Sequence, residues 1–221
     1  MTSAPAASPE VSAGEVVVRD LGRVEYLQTW TAMRAFTDAR GADTPDELWL
    51  LEHPPVYTRG LNDRHEPFAN PDDIPVVHSD RGGQITYHGP GQLVAYTLID
   101  LRRRSWGVKQ LVRSLEQTVI DLLAGRGIAA ERRAGAPGIY VDGRKIAQLG
   151  LRVRHGGSYH GLSFNAAMDL APFRRIKPCG YEGLETIDLA ALVGADAARP
   201  EAVKTELLTH LIRNLGYNRR R

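Results

Sequence analysis

The stretch from Arg81 to Asp100, RGGQITYHGPGQLVAYTLID, constrains the fold more than any other part of the chain. Gly82 and Gly83 precede a short alternating run, Gln84 to His88, and Gly89-Pro90-Gly91 interrupts the chain before an apolar run from Leu93 to Ile99. Proline lacks the amide a sheet ladder needs, and glycine allows conformations that side chains forbid, so the pattern reads as strand, turn, strand. The glycines fit two roles equally well. They suit backbone laid closely against a bound molecule, and they suit ordinary turn chemistry in a tight hairpin.

Elements on either side follow from periodicity. Val16 to Arg19 is a short β-branched strand, and Val24, Leu27, Trp30, Met33 and Phe36 then recur at helical spacing as far as Gly41, which predicts a helix covering a sheet. Leu48 to Leu51 reads as a buried strand stopped by His53-Pro54-Pro55, which delivers a loop, Val56 to Asn62, toward the glycine-rich stretch. His53 either ends that strand or contacts a substrate. A polar loop from Asp63 to Asp73 leads through Ile74-Pro75-Val76-Val77 into the central stretch. Val108, Leu111, Val112, Leu115, Val119, Leu122 and Leu123 share one helical face, with Ser105 as cap and Gly125 or Gly127 at the end.

That stripe is core packing. Strand signals return at Ile128 to Glu131, and Asp142-Gly143 joins Ile139–Val141 to Arg144–Val153 in a hairpin. From Ser158 to Ala166, alternation sets Tyr159, Gly161, Ser163 and Asn165 against His160, Leu162, Phe164 and Ala166. Helical patterns at Thr186–Leu192 and Glu201–Leu215 finish the chain, with Pro200 opening the second and Gly216 closing it. Strands interleaved with helices, two of the strand links being hairpins, predict an α/β (α+β) fold: a mixed β-sheet covered by helices.

With 221 residues and 43% hydrophobic content, the chain holds one sizeable core and favours one domain over two. Residues 1–14, rich in Ala, Ser and Pro without an apolar run of signal-peptide length, read as a disordered leader ahead of a domain spanning 15–221. Lys and Arg total 28 against 26 Asp and Glu, too small an excess for bulk nucleic-acid binding. Local clusters such as Arg102-Arg103-Arg104 and Arg174-Arg175 are either solvated surface or a means of steering an acidic partner. No apolar run approaches a membrane span, and a single cysteine excludes an internal disulfide, so a reducing cytoplasm is expected.

Two residue types remain open on spacing alone. Lys145 follows the Asp-Gly turn, where a lysine is ordinarily an exposed solubilising residue. Cys179 lies in the turn-like Ile176-Lys177-Pro178-Cys179-Gly180, and a lone cysteine is either a small buried hydrophobe or a nucleophile.

Three segments carry a family resemblance in order. RGGQITYHGPGQLVAY resembles the signature of the octanoyl-(acyl carrier protein):protein octanoyltransferases, enzymes of lipoyl synthesis. Gly138 to Arg154, GIYVDGRKIAQLGLRVR, and Ser158 to Gly183, SYHGLSFNAAMDLAPFRRIKPCGYEG, resemble that family's lysine-bearing and cysteine-bearing segments. The resemblance runs from about Leu48 to Gly183. It implies the catalytic domain shared by biotin and lipoate ligases, in which a large sheet walls an acyl pocket and a smaller sheet and helices pack around it. It also implies transfer of an octanoyl group from octanoyl-acyl carrier protein to the lipoyl-domain lysine of lipoate-dependent enzymes, the first step of endogenous lipoylation.

Cys179 and Lys145 are then the catalytic pair. A thiolate holds an acyl group as a thioester, an ammonium stabilises that thiolate, and one lysine serves as acid and later as base. The substrate-binding residues implied are Arg81, Gly82, Gly83, Gln84, Ile85, Thr86, Tyr87 and His88, then Gln148, Leu149 and Gly150, then Gly161, Leu162 and Ser163. His88 would orient the acyl carbonyl or the target lysine. Backbone amides near Gly150 or from Gly161 to Ser163 would meet the developing oxyanion.

No cofactor or metal is implied, because the acyl group arrives on the phosphopantetheine arm of acyl carrier protein. The acceptors are lipoyl domains of 2-oxoacid dehydrogenase acyltransferase subunits and the glycine cleavage H protein. The protein is expected to be a monomer, with no nucleic-acid or membrane partner. An ATP-dependent lipoate or biotin-protein ligase of the same fold and a non-catalytic lipoyl-domain-binding module are the alternatives.

Overall fold

The computed structural model describes residues 14–176 and 184–219. In chain order it contains β1 (Glu15–Arg23), α1 (Tyr26–Asp38), β2 (Asp46–Glu52), β3 (Val56–Arg59), β4 (Val76–His78), β5 (Thr86–His88) and β6 (Gln92–Leu98). There follow α2 (Val108–Ala124), β7 (Glu131–Arg133), β8 (Ala136–Val141), β9 (Arg144–Arg154) and β10 (Gly157–Asn165). A 3-10 turn (Ala171–Arg175), α3 (Ala190–Val193), α4 (Pro200–Leu215) and β11 (Asn218–Arg219) complete it.

The larger sheet runs β11-β1-β2-β6-β10-β9-β8-β7, parallel from β11 to β2 and antiparallel from β2 onward. A smaller sheet, β4-β3-β5, has one parallel and one antiparallel pairing. The large sheet is mixed, as the strand and helix pattern predicts, and the smaller sheet is the one the resemblance implies.

Central strands are covered on both faces. In β2, Leu48 and Leu50 join the core beneath α2 and α4 while Trp49 and Leu51 join a second cluster beneath α1. In β6 the same alternation sends Leu93 and Ala95 one way and Val94, Tyr96 and Leu98 the other. Two-sided burial is why both segments read as continuous apolar runs in the sequence. The stripes of α2 (Leu111, Leu115, Val119, Leu122) and α4 (Val203, Leu207, Leu211, Leu215) close the first core.

Local signals fail where the pairing is non-local. Gly89-Pro90-Gly91 does not close a hairpin: β5 pairs with β3 in the small sheet, whereas β6 pairs with β2 and β10 in the large one. The break is a crossing between sheets, and it needs glycine. Gly91 has φ +86°, and a Cβ there would sit 1.8 Å from Ala167 O. Its amide donates to the Glu52 carboxylate at 2.7 Å.

Hairpins form instead at Asp142-Gly143 and at His155-Gly156, where all four residues have positive φ, as two-residue turns of this hand require. Val56–Arg59, read as loop, is strand β3, because Ile74–His78 and Thr86–His88 reach it from either side.

Smaller corrections share that cause. Leu27 is 56% exposed, whereas Met33 is buried as expected and α1 also buries Tyr26, Thr29 and Thr37. Thr29 and Thr37 tolerate burial by donating to carbonyls four residues back. Helix α2 starts from Gly107 without a side-chain cap, so Ser105 does not serve as one. The strand expected at Ile128–Glu131 lies at Glu131–Arg133, and the helix expected at Thr186–Leu192 shrinks to Ala190–Val193. Among the described residues no helix is long and apolar enough to cross a membrane.

Candidate active site

A cavity with about 570 Å³ of empty space, its mouth included, opens between the large sheet and the stretch that follows Arg81. Strand β6 supplies Val94 and Tyr96, β10 supplies His160 to Ser163, and β9 supplies Lys145, Gln148, Leu149 and Gly150. Opposite them stand Arg81, Gly83, Gln84 and Ile85, with Thr86 and His88 from β5 and Tyr26 from α1.

The wall is braced from inside. Arg81, only 7% exposed, donates from Nε to Thr58 Oγ1 at 3.0 Å and from Nη2 to Thr58 O at 2.5 Å and Gln84 O at 2.7 Å. Gly82 is off the lining, with its amide on Leu151 O at 2.9 Å. Tyr87 also points away, packing on Tyr57 and Phe173 with ring centroids 5.4 and 5.6 Å distant. In a strand Thr86 and His88 share a face that Tyr87 cannot.

Lys145 is 2% exposed and lines the cavity, which overturns its reading as a surface turn lysine. The pairing of β8 with β9 slips at this point: Ile139 faces Ala147 and Tyr140 faces Lys145, leaving Ile146 as an extra residue. A bulge of this kind re-aims side chains, and here Lys145 and Gln148, three apart, both reach the cavity. Lys145 Nζ donates to Pro137 O at 2.8 Å. A Cβ on Gly138 would stand 2.4 Å from Lys145 Cε, so that glycine makes room for the lysine. Cys179 and the remainder of residues 177–183 lie outside the described residues.

Three histidines flank the cavity, and their partners assign their protons. His53 has Nδ1 at 2.7 Å from Val24 O and Nε2 at 2.7 Å from Tyr96 Oη, so Nδ1 carries the hydrogen and Tyr96 donates to Nε2. Burial pulls its pKa down to about 4, against a smaller upward effect of the Val24 carbonyl. His88 Nδ1 lies 2.7 Å from Gln92 Oε1, and Gln92 Nε2 is occupied by Asn165 Oδ1 and Tyr87 O, so His88 donates from Nδ1. Burial first, and neighbouring His53 second, hold His88 well below the usual histidine range.

His160 has φ +60°, the left-handed region, in the middle of β10. This breaks the strand's alternation and sets its ring beside Tyr159, centroids 5.0 Å apart, rather than on the opposite face. Asp80 accepts from His160 Nε2 at 3.0 Å, Tyr159 Oη at 2.5 Å and Trp30 Nε1 at 2.8 Å. Burial alone would raise the Asp80 carboxyl, but these donors outweigh it and hold it well below the ordinary carboxylate range.

Tyr26, Val94, Tyr96 and His160 belong to this cavity and were not expected from the sequence. Alternation within the run from Leu93 to Ile99 was the available signal for Val94 and Tyr96; for His160 that same signal misleads. Of the backbone donors expected, the amides of Gly161 to Ser163 belong to a strand paired on both sides. Of the basic residues suggested for steering, Arg103 pairs with Asp46 at 2.7 Å, Arg175 pairs with Asp72, and Arg104 is sandwiched between Trp106 and Tyr217. Among the described residues no cluster of three or more His, Cys, Asp or Glu is placed to hold a metal.

A family model described as the lipoyl protein ligase A/B catalytic domain matches residues 25–212. The octanoyltransferase of Aromatoleum aromaticum is 60% identical over 211 residues, 96% of this chain and 90% of that protein. That of Thiobacillus denitrificans is 65% identical over 169 residues, 76% of this chain and 78% of its own length. Among solved structures, the bi-partite lipoate protein ligase of Thermoplasma acidophilum superposes with a TM-score of 0.75 at 14% identity, over 94% of this chain and 86% of that one. The structural likeness shows the fold, and the sequence relatives show more: the chain belongs to the octanoyltransferase family, built on the lipoyl protein ligase A/B catalytic domain, and is an acyltransferase.

Proposed function

We propose that this chain takes an octanoyl group from the phosphopantetheine thioester of acyl carrier protein, holds it on Cys179, and passes it to a lipoyl-domain lysine. The Cys179 thiolate attacks the thioester carbonyl, the bond to pantetheine sulfur breaks, and the Lys145 ammonium protonates that sulfur. The acceptor amine then attacks the Cys179 thioester, a C–N bond replaces the C–S bond, and neutral Lys145 takes the surplus proton. Acceptors are the lipoyl domains of 2-oxoacid dehydrogenases and the glycine cleavage H protein.

The observation that carries this reading is Lys145, buried on the wall of the cavity, with its ammonium anchored on Pro137 O. Burying a lysine is costly, and a lysine kept on a cavity wall is suited to proton transfer there. The Gln148 amide adds a donor for the oxyanion, since Ser163 Oγ occupies its oxygen at 2.9 Å and Nε2 has no partner among the described residues.

Incubating the protein with octanoyl carrier protein and no acceptor should give a mass increase of one octanoyl group that Cys179→Ser lacks. Transfer to a lipoyl domain should persist after apyrase treatment. A strict need for ATP would overturn the transferase reading in favour of a ligase.

A further inference from the structure

Three residues that line the cavity each carry a buried side-chain atom with no hydrogen-bond partner among the described residues: Thr86 Oγ1, Gln148 Nε2 and His160 Nδ1. The sheet register measures how two of them are spaced. Ser163 lies opposite Gln148 and Val94, Leu162 opposite Leu149 and Ala95, Gly161 opposite Gly150 and Tyr96, and His160 opposite Leu151. Three strand residues, about 10 Å, separate the Gln148 rung from the His160 rung. Lys145 lies beyond Gln148, on the side away from His160. Between the two polar ends the floor is Leu149, Leu162 and two glycines.

His160 is a defined acceptor. Asp80 is an acceptor-only carboxylate, so the His160 nitrogen facing it, Nε2, carries the hydrogen, and Nδ1 is a bare lone pair on a ring 1% exposed. Burial holds the ring below the usual histidine range, against the upward pull of Asp80, which keeps that lone pair free of a proton. Trp30 and Tyr159 hold Asp80 in place, and Asp80, the stacked Tyr159 ring and the left-handed backbone fix the His160 ring. A saturated tail lying there leaves Nδ1 unpaired, and an unpaired buried acceptor is unfavourable.

We propose that the inner end of the cavity is a polar subsite for a medium-chain acyl group bearing a hydroxyl on its terminal carbon, with His160 Nδ1 as the acceptor. The protein would then transfer terminally hydroxylated acyl chains as well as saturated ones. This rests on the proposed function only in taking the Lys145 end as the thioester end.

The test compares octanoyl, nonanoyl and 8-hydroxyoctanoyl carrier protein as donors to a lipoyl domain, with kcat/KM read by mass. Nonanoyl has a methyl where 8-hydroxyoctanoyl has its hydroxyl. In the wild-type protein the hydroxylated chain should equal or exceed nonanoyl, and in His160→Phe that ratio should fall by about tenfold. A wild-type ratio below one, or a ratio unchanged in His160→Phe, overturns the subsite. Phenylalanine resists the left-handed conformation, so if that variant does not fold the wild-type ratio decides alone. Failure of octanoyl itself to transfer would instead overturn the proposed function.

Discussion

Lys145 holds its ammonium against Pro137 O at 2.8 Å with the Tyr140 ring 5.6 Å away, so its charge sits at a defined point on the cavity wall. Lys145→Ala should move iodoacetamide alkylation of Cys179 to higher pH and slow both half-reactions by about 10²-fold or more. Lys145→Arg keeps the charge but releases no proton near neutrality, so acylation should survive better than transfer to the acceptor. An unchanged alkylation profile and normal deacylation in the alanine variant would remove Lys145 from the mechanism.

The histidines set a pH dependence of stability. His53 titrates near 4 when folded against an ordinary 6.5, so between those values the unfolded chain binds more protons. Its contribution is fully present above pH 6.5 and is lost as pH falls toward 4, an effect on the order of 3 kcal/mol. His88 and His160, also held low by burial, act in the same direction. Urea unfolding between pH 4 and 7 should show stability decreasing as the pH is lowered, with a shallower slope for His53→Gln; equal slopes would contradict the assignment.

Among the elements, the β8–β9 hairpin delivers the lysine. Its Asp142-Gly143 turn sets the register, and the slip at Ile146 turns Lys145 inward. Gly138, with φ +135°, faces the lysine stem, and an added Cβ would also come within 2.6 Å of Ala147 O. Gly138→Ala should therefore cost about 1–3 kcal/mol of stability and displace Lys145. At a temperature where the variant is folded, acyl-enzyme formation should still be slow. Wild-type stability together with a wild-type acylation rate would show that the hairpin yields without disturbing Lys145.

Across the whole molecule, Asp46 ties distant parts together. Its carboxylate, 3% exposed, receives Arg40 at 2.9 Å, Arg103 at 2.7 Å, the Tyr217 hydroxyl at 2.5 Å and the Asp100 amide at 2.8 Å. These partners come from the end of α1, the link from β6 to α2, and the chain after α4. Asp46→Ala leaves Arg40, itself buried, with its charge uncompensated. A loss of about 3–5 kcal/mol is expected in denaturant unfolding. A loss under about 1 kcal/mol would mean that water replaces the carboxylate.

Two-sided strands β2 and β6, the stripes of α2 and α4 and the Asp-Gly hairpin were all legible in the sequence, because each depends on residues near one another along the chain. So were the segments around Arg81, Lys145 and Cys179 that carry the family resemblance. Tertiary structure alone decided that Gly89-Pro90-Gly91 crosses between sheets, that Val56–Arg59 is a strand, that Lys145 is buried and that His160 shares a face with Tyr159. The physical reason is common to these cases. A strand's partner, a bulge and a left-handed residue inside a ladder are settled by hydrogen bonds to segments remote in sequence, which local periodicity does not encode.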